Sequence, residues 1–176
     1  MSRRNSPAIV ESFPPQIGTR CRVLVLGTAP SVRSLAMGQS YAHPQNLFWP
    51  FMGELFAAGP DLPYAERVAR LHAHGIGIWD VYARCERPGS LDSSIVRVSE
   101  VANDIPQLAA TRPELRAIVL NGGQAQRAFR RLVLPRLDPQ LRARIHLLDL
   151  PSTSPANASI PRARKLQAWR VLRDHV

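Results

Sequence analysis

Three short apolar runs constrain what this chain can fold into. Cys21 to Leu26 (CRVLVL), Arg116 to Asn121 (RAIVLN) and Arg144 to Leu150 (RIHLLDL) are near-continuously apolar through their centres, and Gly27, Gly122-Gly123 and Pro151 stop them. A run apolar on both of its alternating faces suits a strand covered on both sides, as in a parallel sheet. Between the runs the spacing turns helical. From Asn46, apolar residues recur at Leu47, Phe48, Phe51, Met52, Leu55 and Phe56, with Pro50 tolerated in the first turn. Tyr64 to His74 reads as a second helix ended by Gly75, and Gly77 to Tyr82 as a short strand leading into a polar stretch. Gln124 to Leu134 is a basic helix entered straight from the glycine pair. Arg162 to His175 is a closing helix started by Pro161, with Leu166, Trp169 and Leu172 facing inward. Strands separated by helices predict an α/β chain, a three-layer α/β/α sandwich around a mostly parallel, short central sheet.

The first twenty residues hold three prolines and few apolar positions in register, so residues 1–20 are expected to form a flexible N-terminal arm and residues 21–176 a single domain. A chain of 176 residues, 45% of them hydrophobic, can bury one core of ordinary size. Two cysteines, Cys21 and Cys85, are too few for a four-thiolate zinc or iron–sulfur site. Apolar stretches are interrupted by arginine, proline or glycine well short of the roughly 20 residues that cross a bilayer. A soluble, cytoplasmic monomer with no membrane partner is expected.

Charge is unevenly distributed. The net charge is +10, yet residues 1–111 carry ten arginines against nine acids, while residues 112–176 carry twelve arginines and Lys165 against four acids. A surface of that kind draws a polyanion, most simply nucleic acid, through counterion release. Arginine-rich composition alone would explain the excess of arginine over lysine but not the shortage of acids in one half.

Ligands of an open parallel sheet bind beyond the carboxyl ends of its strands, which directs attention to two loops. One runs from Gly27-Thr28-Ala29-Pro30-Ser31 through Tyr41-Ala42-His43-Pro44-Gln45-Asn46 to Trp49, as a long polar loop. The other is Leu150 to Ser159, LPSTSPANAS. Neither has the glycine spacing of a dinucleotide fingerprint or the lysine of a phosphate-binding loop. Lys165 is the sole lysine, so Schiff-base chemistry has little support, and no serine lies in a nucleophile elbow.

The stretch GTAPSVRSLAMGQSYAHPQNLFW resembles the first motif of the uracil-DNA glycosylase superfamily, in particular the mismatch-specific uracil/thymine enzymes and, more closely, the deoxyinosine (hypoxanthine) DNA glycosylases. LPSTSPANAS resembles the second motif of the deoxyinosine branch, and WDVYARCERPGSLDSSI and LNGGQA resemble its intermediate segments. The resemblance implies a small α/β/α sandwich that flips a nucleotide out of DNA, double- or single-stranded, and hydrolyses the bond between base and sugar without a metal or organic cofactor. Hypoxanthine is the expected base, with uracil or xanthine as alternatives, and base-excision repair near the nucleoid the expected setting. A DNA-binding relative without catalysis is the rival reading, because Ala29 stands where mismatch-specific enzymes carry a water-positioning asparagine.

Site residues follow from the same resemblance. The catalytic role passes to Asn46, whose amide can hold a water or bond the base, although an asparagine there also suits a helix cap. Ser152 is assigned to the leaving base and its phosphate, with plain turn chemistry as the alternative. Gly27, Thr28 and Ala29 are expected to line the base pocket with Tyr41 stacking on the flipped base, and His43, Asn121 and Ser154 to complete it. From its own place at a strand end, not from the resemblance, Asp80 is a weaker candidate for a general base, with a solvated or paired carboxylate as the alternative. Ala156 and Asn157 would press into the duplex, with Arg162, Arg164 and Lys165 on phosphates behind them.

Overall fold

The computed structural model describes residues 8–176. Four strands form a parallel sheet in the order β3-β2-β6-β7: β2 (Val23–Gly27), β3 (Ile76–Asp80), β6 (Ala117–Asn121) and β7 (His146–Leu150). Val23 pairs with Ile76 on one side and Ala117 on the other, and Ala117 with His146, so the four carboxyl ends finish side by side. Every residue of β2 and β6 is buried, which is why both read as apolar on both faces.

The two faces carry separate cores. Val23, Val25, Ala117 and Val119 pack beneath helices α2 (Phe48–Phe56), α3 (Tyr64–Ala73) and α7 (Arg162–Trp169), through Phe51, Met52, Leu71 and Trp169. Leu24, Leu26, Ile118 and Leu120 face the other way, against α4 (Ile105–Ala110) and α5 (Gly123–Leu132), through Ile105, Ala128 and Phe129. The alternation along β2 thus divides its side chains between two helical layers, giving the expected sandwich. Fully burying one such aliphatic or aromatic side chain contributes roughly 1.5 to 3 kcal/mol.

Several local expectations are corrected. The long polar loop after β2 contains a helix, α1 (Val32–Met37), capped by Ser31, whose hydroxyl accepts from the Ser34 amide, and closed by left-handed Gly38. The polar stretch after β3 is a second, antiparallel sheet of order β1-β4-β5, built from β1 (Ile9–Glu11), β4 (Tyr82–Glu86) and β5 (Val96–Ala102). β1 and β4 bury only Val10, Tyr82 and Cys85, β5 buries no residue, and Val98 is 96% exposed, so no apolar run announces them. A short helix α6 (Pro139–Arg144) precedes β7, and the closing helix ends at Trp169, continuing to Asp174 as a 3-10 segment.

The expected arm is also different from residue 8 onward; its first seven residues lie outside the described residues. Val10 pairs with Cys85, the Gln16 and Ile78 backbones exchange two hydrogen bonds of 3.0 Å, and Trp79 Nε1 donates to the Phe13 carbonyl. These partners lie more than sixty residues away in the chain, which no local pattern reveals. Among the described residues no helix is long and apolar enough to cross a membrane.

Candidate active site

The carboxyl ends of β2, β3, β6 and β7 present Gly27, Asp80, Asn121 and Leu150 to one side, where the following loops enclose a cavity of about 510 Å³. Of the residues expected at the site, Gly27, Thr28, Ala29, Tyr41, His43 and Asn46 line it from the first loop. Asn121, Ser152, Ser154, Ala156 and Asn157 line it from the opposite side. Arg162, Arg164 and Lys165 do not.

The first wall depends on close approach at Gly27. A Cβ there would sit 2.7 Å from Asp80 Oδ1 and 3.1 Å from Tyr41 Oη, so only glycine lets both groups reach the strand end. Tyr41 has a φ of 56°, a left-handed conformation rare for an aromatic residue and one that costs about 1 to 3 kcal/mol. Its neighbours hold it there: the Trp49 indole donates to the Ser40 carbonyl, Ser34 Oγ accepts from the Ala42 amide, and Phe48 stacks on the ring at 4.0 Å. Tyr41 Oη is buried and has no hydrogen-bond partner among the described residues. Burial raises its pKa above the ordinary tyrosine range, with the Asp80 charge adding to the shift.

Asn46 meets the helix-start role open to it in the sequence and lines the cavity as well. Its Oδ1 accepts from the Phe48 backbone N–H at 2.9 Å, just ahead of α2. That bond fixes the amide and leaves Nδ2 and one oxygen lone pair for the cavity it lines. His43 is exposed, and its Nδ1 accepts from the Gln45 amide at 3.1 Å.

The second wall is held chiefly by its own polar groups. Asn121 Nδ2 donates to Thr153 Oγ1 and Asn121 Oδ1 accepts from the Thr153 amide, both at 3.0 Å and buried. The asparagine expected to bind substrate lines the cavity and also clamps the loop, through one bond at each end of its amide. Trp169 Nε1 donates to the Pro151 carbonyl, and Ser152 Oγ accepts from the Ser154 amide at 3.1 Å. Gly122, at φ 92°, admits Ser152 so closely that a Cβ there would lie 2.7 Å from the serine Cβ. The Leu47 amide donates to the Thr153 carbonyl at 2.9 Å and ties the two walls together. Between them the uncapped N-terminus of α5 brings Gly123 and Gln124 to the cavity.

The basic residues behind this wall divide in function. Lys165 is corrected as a phosphate ligand: it is 2% exposed, and its ammonium donates inward to the Asn157 carbonyl, bracing the loop from beneath. Arg162 is paired with Glu54 at 2.5 Å and lies over Phe51. Arg164 is exposed on the same helix.

Beneath the cavity lies a group that sequence reasoning missed. Arg87 is 1% exposed; its guanidinium donates to the Gly89, Ala29 and Pro30 carbonyls and lies 3.8 Å from Asp92. It joins the first loop to the 88–95 loop, whose Ser90, Leu91 and Asp92 complete the lining. The segment WDVYARCERPGSLDSSI was the one signal available, and it contains Arg87, Gly89, Ser90, Leu91 and Asp92 together with Asp80. Asp80 faces the cavity, and its carboxyl accepts no hydrogen bond from the described protein groups. Withdrawal from water pushes its pKa up to about 7, with Asp92 adding to the rise and Arg87 opposing it. No group of three His, Cys, Asp or Glu side chains converges as a metal site among the described residues.

Comparison with known proteins agrees with this architecture. A model of the uracil DNA glycosylase superfamily matches residues 14–173. A hypoxanthine DNA glycosylase of Methanosarcina acetivorans is 31% identical over 169 residues, covering 95% of this chain and 99% of that protein. A hypoxanthine DNA glycosylase of Methanosarcina barkeri is 34% identical over 115 residues, 64% of this chain and 70% of that one. A solution NMR structure from Methanosarcina acetivorans, described as a uracil DNA glycosylase, superposes with a TM-score of 0.76 at 31% identity, covering 94% of this chain and 98% of that one. Strand order, cavity and matched residues lead to one assignment: the chain belongs to the uracil DNA glycosylase superfamily.

Proposed function

We propose that this chain is a monofunctional DNA glycosylase that takes hypoxanthine, the product of adenine deamination, out of DNA. The observation that carries this reading is the Asn46 amide, pinned by the Phe48 N–H with its remaining donor and lone pair free at the cavity. A fixed amide can hold the attacking water against the anomeric carbon of a flipped nucleotide, where orientation supplies much of the rate. Two relatives bearing the name hypoxanthine DNA glycosylase support the choice of base.

The remaining roles follow from position. Tyr41, braced by Phe48, is the platform for the extruded base, a contact worth roughly 1 to 3 kcal/mol. Ser152 Oγ accepts from the Ser154 amide and keeps its own proton to donate to the leaving base or its phosphate. The N-terminal amides of α5 favour negative charge developing nearby. Ala156 and Asn157 enter the space the nucleotide leaves, and Arg164 engages a phosphate. Lys165, the sole lysine, is enclosed beneath the second loop, in keeping with hydrolysis rather than Schiff-base lyase chemistry. We infer that the protein acts as a monomer on DNA in the cytoplasm and draws on no cofactor.

The test is turnover on duplexes holding a single deoxyinosine, deoxyuridine or deoxyxanthosine, followed by alkaline cleavage of abasic sites. Alkali-dependent product is expected fastest from deoxyinosine. Nicking without alkali would contradict the monofunctional assignment, and a faster reaction on deoxyuridine would move the substrate to uracil.

A further inference from the structure

We propose that Asp80 is the general acid of the reaction and that it delivers its proton to N7 of the departing purine, an inference that rests on the hypoxanthine reading above. Three observations of geometry lead to it. The carboxyl lines the end of the cavity beside Gly27, where the absence of a side chain lets Oδ1 approach the strand end. Tyr41 Oη reaches the same point, so the carboxyl lies at the hydroxyl edge of the ring proposed to stack on the base. Neither group is paired at hydrogen-bond distance: among the described residues no donor meets the carboxyl, and the buried hydroxyl, although the Asn121 amide lies near enough to act on it, has no partner. A ligand edge carrying an acceptor satisfies them, and the imidazole side of a purine offers one at N7.

Asp80 is also poised to hold the proton. Its pKa lies at about 7 because it is withdrawn from water; Asp92 reinforces the shift, Arg87 opposes it, and the Tyr41 hydroxyl also faces it. In the reaction the bond from C1′ to N9 breaks with its electron pair moving into the purine. The Asp80 proton passes to N7, and hypoxanthine leaves as a neutral tautomer. Water held by Asn46 adds its oxygen to C1′, and the proton it releases restores the Asp80 acid. General acids of this kind accelerate reactions by roughly 10² to 10⁴.

Single-turnover excision by wild type and Asp80→Asn, on deoxyinosine and on 7-deaza-2′-deoxyinosine, tests this across pH 6 to 9. The acid form is the active one, so the wild-type rate on deoxyinosine should fall as pH rises through about 7. Asp80→Asn should lose about 100-fold on deoxyinosine and have a flat profile. Replacing N7 by carbon should slow the wild type far more than the variant, because the variant has already lost the proton transfer. A native carboxyl with a raised pKa weakens the fold as pH climbs from about 4 to 7, so Asp80→Asn should melt no lower than wild type at neutral pH. If the variant does not fold, the wild-type profile and the 7-deaza substrate still decide. A rate that stays level or climbs through pH 7, or a 7-deaza penalty equal in both proteins, overturns the proposal. No abasic product from deoxyinosine by wild type would overturn the hypoxanthine reading itself.

Discussion

The two walls of the cavity are built from similar residues and use them in opposite ways. In the loop after β2, backbone and framework groups hold the chain, and the side chains of Tyr41 and Asn46 keep polar capacity for a ligand. In the loop after β7, polar capacity is mostly spent on the protein: Asn121 clamps Thr153, Ser152 turns to Ser154, and Lys165 supports Asn157. On the proposed function, the first wall is fitted for chemistry and the second for shape. A substitution in the first should therefore change rate far more than stability, and one in the second should change stability and rate together.

The largest effect is expected at Asn46. Asn46→Ala should lower excision by at least about 100-fold, the scale of losing a positioned reactant, while DNA affinity stays within about tenfold. Single-turnover kinetics beside a binding titration checks it; parallel losses would erase the distinction between the walls. Asn121→Ala comes next. It strands the Thr153 amide and hydroxyl in a buried site, so chemical denaturation should show a loss of about 2 to 4 kcal/mol. A stable Asn121→Ala with lost activity would instead make Asn121 a ligand of the base. The smallest effects concern the basic helix. Arg164→Ala should reduce the slope of log affinity against log salt by about 1, whereas Lys165→Met should leave it unchanged because the ammonium faces the loop.

Legibility in the sequence tracks burial and distance along the chain. The parallel strands and α2 are visible because both faces of β2 and β6 are buried and α2 keeps Phe48, Phe51, Met52, Leu55 and Phe56 in helical register. The antiparallel sheet is not, since β1 has three residues and its partner lies beyond residue 80, while β5 leaves Val98 in solvent. Most of the cavity lining was accessible through motif resemblance. The direction of a side chain was not: a lysine behind a loop looks the same whether it reaches outward to phosphate or inward to the Asn157 carbonyl. Arg87 is the clearest case, one arginine among many until the Ala29 and Pro30 carbonyls turn toward it.

The central claim is that the first wall carries out hydrolysis of a flipped base. Single-turnover incubation of wild type and Asn46→Ala with a deoxyinosine duplex, read as alkali-labile sites with binding measured on the same samples, tests it most directly. Abasic product is expected from the wild type and nearly none from a folded Asn46→Ala that still binds the duplex. Equal product from both proteins, or binding by the wild type without any abasic site, would contradict it.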